Sequence, residues 1–186
     1  MLSPRAEAVK LFASVPERYP TNRITCAEAL TEEGLSWRIM DQPDEAQRCF
    51  DEVWSLYDDQ ARYAPLCRAL LGGLLYDQGR DADAAALLDE VLKKFPKDHY
   101  AVGTALYYKG LLFQRQGRWD AALETFGRIA TQAPLDKRNV LKAALARGTI
   151  LRDRSRTDEA RAVFAELHPL PPMEKETAAA AVVEQA

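Results

Sequence analysis

Three cysteines, two histidines and 28 acidic residues are the side chains in this sequence on which chemistry could draw. Cys26, Cys49 and Cys67 are odd in number and have no Cys-x-x-Cys spacing. Each lies among apolar residues at helical intervals, so the expectation is three buried free thiols, not a metal site or a disulfide framework. His99 and His168 stand 69 residues apart near predicted helix ends. Neither has a partner at metal-ligand spacing, and each reads as a solvated or dipole-facing side chain. The carboxylates Asp41, Asp44, Glu45, Asp51 and Glu52 crowd one stretch. Such runs coat a solvated helix face, and nothing selects an acid–base pair from them. No Gly-rich phosphate loop follows a strand. The expectation is therefore a protein that is not an enzyme, with no catalytic residues, no cofactor and no metal. Its function must lie in a surface.

Composition narrows what that surface meets. The chain has 186 residues, 47% of them hydrophobic, with 25 Lys and Arg against 28 Asp and Glu. This is ordinary for a soluble domain and excludes collagen-like, disulfide-scaffold and wholly disordered classes. A net charge of −3 argues against a general nucleic-acid binder, which carries a basic excess. No apolar run approaches the roughly 18 residues of a membrane span. The start, Met1-Leu2-Ser3-Pro4-Arg5, is broken by proline and charge, which predicts no secretory signal. With unpaired cysteines, the expected setting is cytoplasmic.

The elements that must position any such surface come from a 38-residue period. Glycine recurs at Gly34, Gly72, Gly110 and Gly148, and twelve residues beyond each comes alanine at Ala46, Ala84, Ala122 and Ala160. Four residues further stand Phe50, Leu88, Phe126 and Phe164, then Val53, Val91, Ile129 and Leu167. A fixed period of this length marks a repeat array. Within the third unit Val102, Leu106, Gly110 and Phe113 follow helical spacing. Gln116-Gly117-Arg118 breaks it, and a second helical stripe, Ala122, Phe126 and Ile129, runs on until Pro134. The equivalent turns are Asp41-Gln42-Pro43, Gln78-Gly79-Arg80 and Arg154-Ser155-Arg156, and Asp98 and Asp136 stand where N-caps are expected. Nothing alternates with period two, so no strands are predicted. Glycine inside a helix costs about 1 kcal/mol relative to alanine. Four in register make sense if each faces the second helix at close range, with the small alanine opposite and the aromatic column beside the contact. Pro65 falls inside the first helix of the second unit, which places that helix's start near Pro65 after a capping turn over 59–64.

At these residues the chain resembles the tetratricopeptide repeat family. Leu106, Gly110, Phe113, Gly117, Trp119, Ala122, Phe126 and Pro134 fall at the family's signature spacings. Gly72, Leu75, Gly79, Ala84, Leu88 and Pro96 match in the second unit, whereas Asp41 and Ser155 replace the turn glycine in the first and fourth. The family unit is shorter by four residues, which we place as an extra turn on each first helix. The resemblance implies an all-α, right-handed superhelical solenoid of antiparallel helix pairs with about ten helices. The whole chain, 1–186, is one domain: a half-repeat over 5–19, repeats near 22–58, 59–96, 97–134 and 135–172, and a capping helix over 174–185.

The resemblance also implies that the first helices line a groove holding a protein or peptide segment. Carried onto this sequence, the groove positions include Glu28, Thr31, Leu35, Arg38 and Ile39, then Leu66, Ala69, Gly73, Tyr76 and Asp77. Thr104, Tyr107, Leu111, Gln114 and Arg115 follow, then Lys142, Leu145, Thr149, Arg152 and Asp153. We single out Arg38, Tyr76, Tyr107, Leu111, Gln114, Arg115, Lys142 and Arg152 as the partner-binding set, because aromatic and arginine side chains dominate binding hot spots. The lysine and asparagine clamp that some family members use on a terminal carboxylate is missing, since Thr31, Leu35, Ala69 and Gly73 occupy its positions. A small bacterial secretion-type chaperone of this fold fits the size and acidity. Residues 28–59 carry −8 and residues 137–161 carry +5. That polarity, with a half-repeat at each end, makes a self-assembling scaffold, possible as a homodimer, the alternative to an adaptor.

Overall fold

The computed structural model describes residues 4–166, and ten helices carry that stretch. Helix α1 (Pro4–Ala13) and the single turn α2 (Val15–Arg18) lead into four pairs. These are α3 (Arg23–Ile39) with α4 (Pro43–Leu56), α5 (Tyr63–Asp77) with α6 (Asp81–Lys94), α7 (His99–Arg115) with α8 (Trp119–Gln132), and α9 (Lys137–Asp153) with α10 (Thr157–Glu166). Among the described residues there is no strand. First helices run to 17, 15, 17 and 17 residues, while α4, α6 and α8 have 14 each. The first helices are thus longer than α4, α6 and α8, by three residues in α3, α7 and α9 and by one in α5, which follows a longer connection. The capping helix expected over 174–185, and His168 with it, lies outside the described residues.

One turn geometry serves all four pairs. Gly79 and Gly117 have φ of 73° and 69°, and the non-glycine residues at the same place, Asp41 and Ser155, have 56° and 60°. In each turn the amide after the left-handed residue donates to a carbonyl five positions back: Gln42 to Trp37, Arg80 to Leu75, Arg118 to Phe113 and Arg156 to Leu151, at 2.8–3.0 Å. This closure satisfies the carbonyls that a helix end leaves open. Starts are capped as well. The Asp98 carboxylate accepts from the Ala101 amide at 2.8 Å and Asp136 from that of Asn139 at 3.1 Å. Asn22 does the same for Thr25 at the head of α3. Helix α5 opens at Tyr63, two residues ahead of the start expected from Pro65. Pro65 therefore occupies the first turn, where a missing N–H breaks no helical hydrogen bond.

The glycine column is where the paired helices lock. A Cβ placed on Gly34 would sit 2.6 Å from the Phe50 ring, and one on Gly72 would sit 2.5 Å from Leu88 Cδ2. Gly110 meets Phe126 and Gly148 meets Phe164 in the same way. The tight partner is thus the large residue of the second helix, not the alanine four positions earlier. Ala46, Ala84, Ala122 and Ala160 are buried beside that contact. Phe50, Leu88 and Phe126 are completely enclosed and belong to cores that run on from one pair to the next. All three cysteines are free and buried as expected, and burial raises the thiol pKa of Cys49 and Cys67 to about 12.

Neighbouring pairs stack by packing each second helix on the next first helix (α4 on α5, α6 on α7, α8 on α9) and by contacts between successive first helices. Helix α5 packs on α3 and α7, and α7 packs on α9, while α3 and α9 do not touch. Polar contacts pin the stacking. The Arg38 guanidinium bonds the Asp77 carboxylate at 2.6 Å. Arg115 lies 3.6 Å from the Tyr76 ring centroid and donates to the Tyr76 carbonyl at 3.0 Å and to Asp81 at 2.5 Å.

Candidate functional site

The four first helices turn one side toward a common concavity of about 540 Å³. Helix α3 supplies Glu28, Thr31, Glu32, Leu35, Arg38 and Ile39. Arg62, Tyr63, Leu66, Leu70 and Asp77 come from α5 and the residue before it. Helix α7 adds Tyr100, Thr104, Tyr107 and Tyr108, and α9 adds Arg138, Asn139 and Lys142 with the cap residue Asp136. Arg5 of α1 reaches in from one end.

Of the set singled out from the sequence, Arg38, Tyr107 and Lys142 line this concavity, and the other five do not. Tyr76 and Arg115 are engaged with each other in the seam between α5 and α7. Leu111 packs against the core, and the side-chain carbonyl of Gln114 is buried without a hydrogen-bond partner. Arg152 is exposed and pairs with Asp153 at 3.0 Å. Gly73 lies beneath the Tyr108 ring, which fills the space a side chain there would take.

Tyr108 is the floor of the site. Its ring is centred 5.9 Å from Tyr76 and 5.6 Å from Tyr107, and the Arg38 guanidinium lies 5.1 Å from it. Tyr107 leans on Phe126 at 5.8 Å, so the floor is tied to the lock between α7 and α8. Burial works against the Arg38 charge. The Tyr108 hydroxyl and Asp77 carboxylate more than offset it and hold its pKa above the usual arginine range. Burial likewise raises the pKa of Tyr108, so the phenol stays neutral and available as a donor.

Several residues that the sequence reading passed over complete the site. Arg62 lies against two rings, 5.4 Å from Tyr63 and 5.2 Å from Tyr100. Asp136 is only 4% exposed, and burial raises its pKa against the opposing hydrogen bonds from Asn139. The Asn139 amide donates to Asp136 at 2.6 Å and to the Thr104 hydroxyl at 3.1 Å, which ties α9 to α7 inside the groove. Arg62, Tyr100 and Arg138 are 38 residues apart, one helical turn ahead of Leu66, Thr104 and Lys142. That column was the signal that could have found them. The exposed apolar groups at the rim are Ile39, 53% exposed, and Tyr100, 38% exposed.

A wider hollow of about 630 Å³ opens near the third and fourth turns, between Gly117–Leu123 and Arg154 with Arg156. Its charges are already engaged: Arg156 bonds Glu159 and Asp120, and Arg154 covers Trp119. Among the described residues no cluster of three or more His, Cys, Asp or Glu is placed to hold a metal ion. No helix there is long and apolar enough to cross a membrane.

A tetratricopeptide repeat model matches the sequence over residues 40–99, 70–137 and 107–172. No curated protein sequence matches the chain. Among solved structures, a crystal structure of MamA is 16% identical, covers 97% of this chain and 90% of its own, and has a TM-score of 0.52. A crystal structure of BtubC (BKLC) from P. vanneervenii is 12% identical with a TM-score of 0.65, covering 91% and 77%. MamA from residue 41 to its end, from Desulfovibrio magneticus RS-1, is 15% identical with a TM-score of 0.53, covering 87% and 94%. At these identities the likeness is one of fold.

Proposed function

The chain belongs to the tetratricopeptide repeat family, and from that premise we propose that it is a non-enzymatic adaptor holding an extended segment of a partner protein between its first helices. One observation carries the reading. Side chains from α3, α5, α7 and α9 converge on a single cavity, with tyrosines for its floor and the apolar groups Ile39 and Tyr100 exposed at its rim. Aromatic groups and arginines set in a desolvated hollow are the anchors that dominate binding energy elsewhere. Arg38, Tyr107 and Lys142 remain our candidates for direct contact. Tyr76 and Arg115, which bridge α5 and α7, and Leu111, which packs on the core, act by holding neighbouring helices in position. Three buried free thiols support residence in a reducing, cytoplasmic setting.

The test combines Ile39→Glu with Tyr100→Ala, two rim positions outside the helix-pair locks. A partner identified by cross-linking and mass spectrometry in the native cell should bind the double variant more weakly by over about 1 kcal/mol, at unchanged thermal stability. Unaltered affinity, or cross-links confined to the second helices, defeats the reading.

A homo-oligomeric scaffold is the second reading, supported by the opposite charge of the first and last pairs. Light scattering should then show mass rising with protein concentration and falling with salt. A strict monomer throughout removes it.

A further inference from the structure

The groove is not electrically uniform. At one register of its wall, successive first helices present Glu28, Leu66, Thr104 and Lys142. At the next they present Glu32, Leu70 and Tyr108, and at the first turns Arg62, Tyr100 and Arg138. Helix α3 thus contributes two carboxylates and α9 two cations, with apolar, aromatic and hydroxyl groups between them.

The remaining groove charges reduce this polarity without reversing it. Arg38 and Asp77 neutralise each other, and Asp136, buried in its bonds to Asn139 and within reach of Arg138 and Lys142, offsets at most one of those two cations. Arg62 is spread over two tyrosine rings midway along the groove. Glu28 stands on that wall beside Tyr63, whose pKa is raised by burial and by the nearby Glu28 carboxylate. Arg5, exposed on α1, offsets at most one of the two carboxylates. Lys142 lies 5.7 Å from the Tyr107 ring centroid. Glu32 and Arg138 are exposed and join no ion pair among the described residues.

Resting on the reading that the groove holds a partner segment, we infer that the segment is itself charge-polar, with a lysine or arginine against Glu28 and Glu32 and a carboxylate against Arg138 and Lys142. Three interhelical steps of about 9 Å separate α3 from α9, and curvature shortens the path. An extended chain at about 3.3 Å per residue crosses that in about eight residues or fewer. Opposite charges at the two walls select one orientation and reject segments of uniform sign, since like charges facing each other are disfavoured.

The experiment is selection from a displayed library of random decapeptides against the full chain at low salt. Selected peptides should carry Lys or Arg and Asp or Glu separated by about four to eight residues. Replacing the peptide's cation by glutamate should cost at least about tenfold in affinity. That loss should be recovered on the chain bearing Glu28→Lys and Glu32→Lys, and not on the one bearing Arg138→Glu and Lys142→Glu. The second variant should instead recover a peptide whose carboxylate has been changed to lysine.

Peptides without charge polarity that bind wild type and are lost on the Ile39→Glu, Tyr100→Ala chain overturn the inference and leave the groove reading standing. Polar peptides whose affinity ignores all four charge changes also overturn it. If no peptide is enriched, the inference and the groove reading fail together. A synthetic peptide of residues 167–186 that competes fully would make the occupant the chain's own tail, and the inference falls.

Discussion

Each first helix has two working sides, and they obey opposite rules. The side turned toward its own second helix repeats almost unchanged along the chain: Gly34 against Phe50, Gly72 against Leu88, Gly110 against Phe126 and Gly148 against Phe164. The side turned toward the groove changes at every step, from Glu28 through Leu66 and Thr104 to Lys142. Where the same contact must form four times, the sequence has one solution, because a Cβ on the glycine would enter the opposing side chain. Where the contact is with something else, each helix carries a different group. The first side determines how helices pair, and the second is free to determine what they meet.

The largest expected effect breaks the repeating side. Gly110→Leu must force α7 from α8 or displace the enclosed Phe126, costing about 3 kcal/mol or more. Chemical denaturation measures it, and an unchanged midpoint would refute the lock. An intermediate effect separates turns that share a shape but not a residue. Gly79→Ala should cost about 1 kcal/mol, because alanine resists the left-handed region. Ser155→Gly should instead stabilise by about 0.5–1 kcal/mol. If both changes were neutral, the shared turn geometry would not be held by local backbone preference. The smallest effect belongs to the groove: Glu32→Gln should move stability by less than about 0.5 kcal/mol. A larger loss would mean that this face also helps to hold the fold.

What could be read from the sequence follows the range of the forces involved. Asp98 and Asp136 were legible as caps because the amides they accept from lie three residues along the chain. Asp41 and Ser155 were legible as turn residues because their neighbours keep the repeat's register. Pro65 fixed the start of α5 only to within its first turn, since proline is tolerated throughout that turn. Arg38 with Asp77, and Arg115 with Tyr76, were not legible. Each pair bridges 39 residues, and its formation depends on how far one first helix is offset against the next. The same offset decides that Tyr107 and Tyr108 face the groove while Tyr76 is covered by Arg115. Of the residues singled out, Arg38, Tyr107 and Lys142 therefore lie in the candidate site, whereas Tyr108 at its floor and the first-turn column of Arg62, Tyr100 and Arg138 were missed.

The shared turn has a consequence for how such a chain can change length. Gly79 and Gly117 sit in the same backbone conformation, each between a first helix that ends two residues earlier and a second helix that begins two residues later. They are interchangeable joints. Excising the chain between them, or duplicating it, rejoins ends of matching geometry and asks only that one set of neighbours accept another. Such a protein can be shortened or extended by whole modules without redesigning a single connection, and each module gained or lost brings its own entry to, or deletion from, the pattern of charges along the groove.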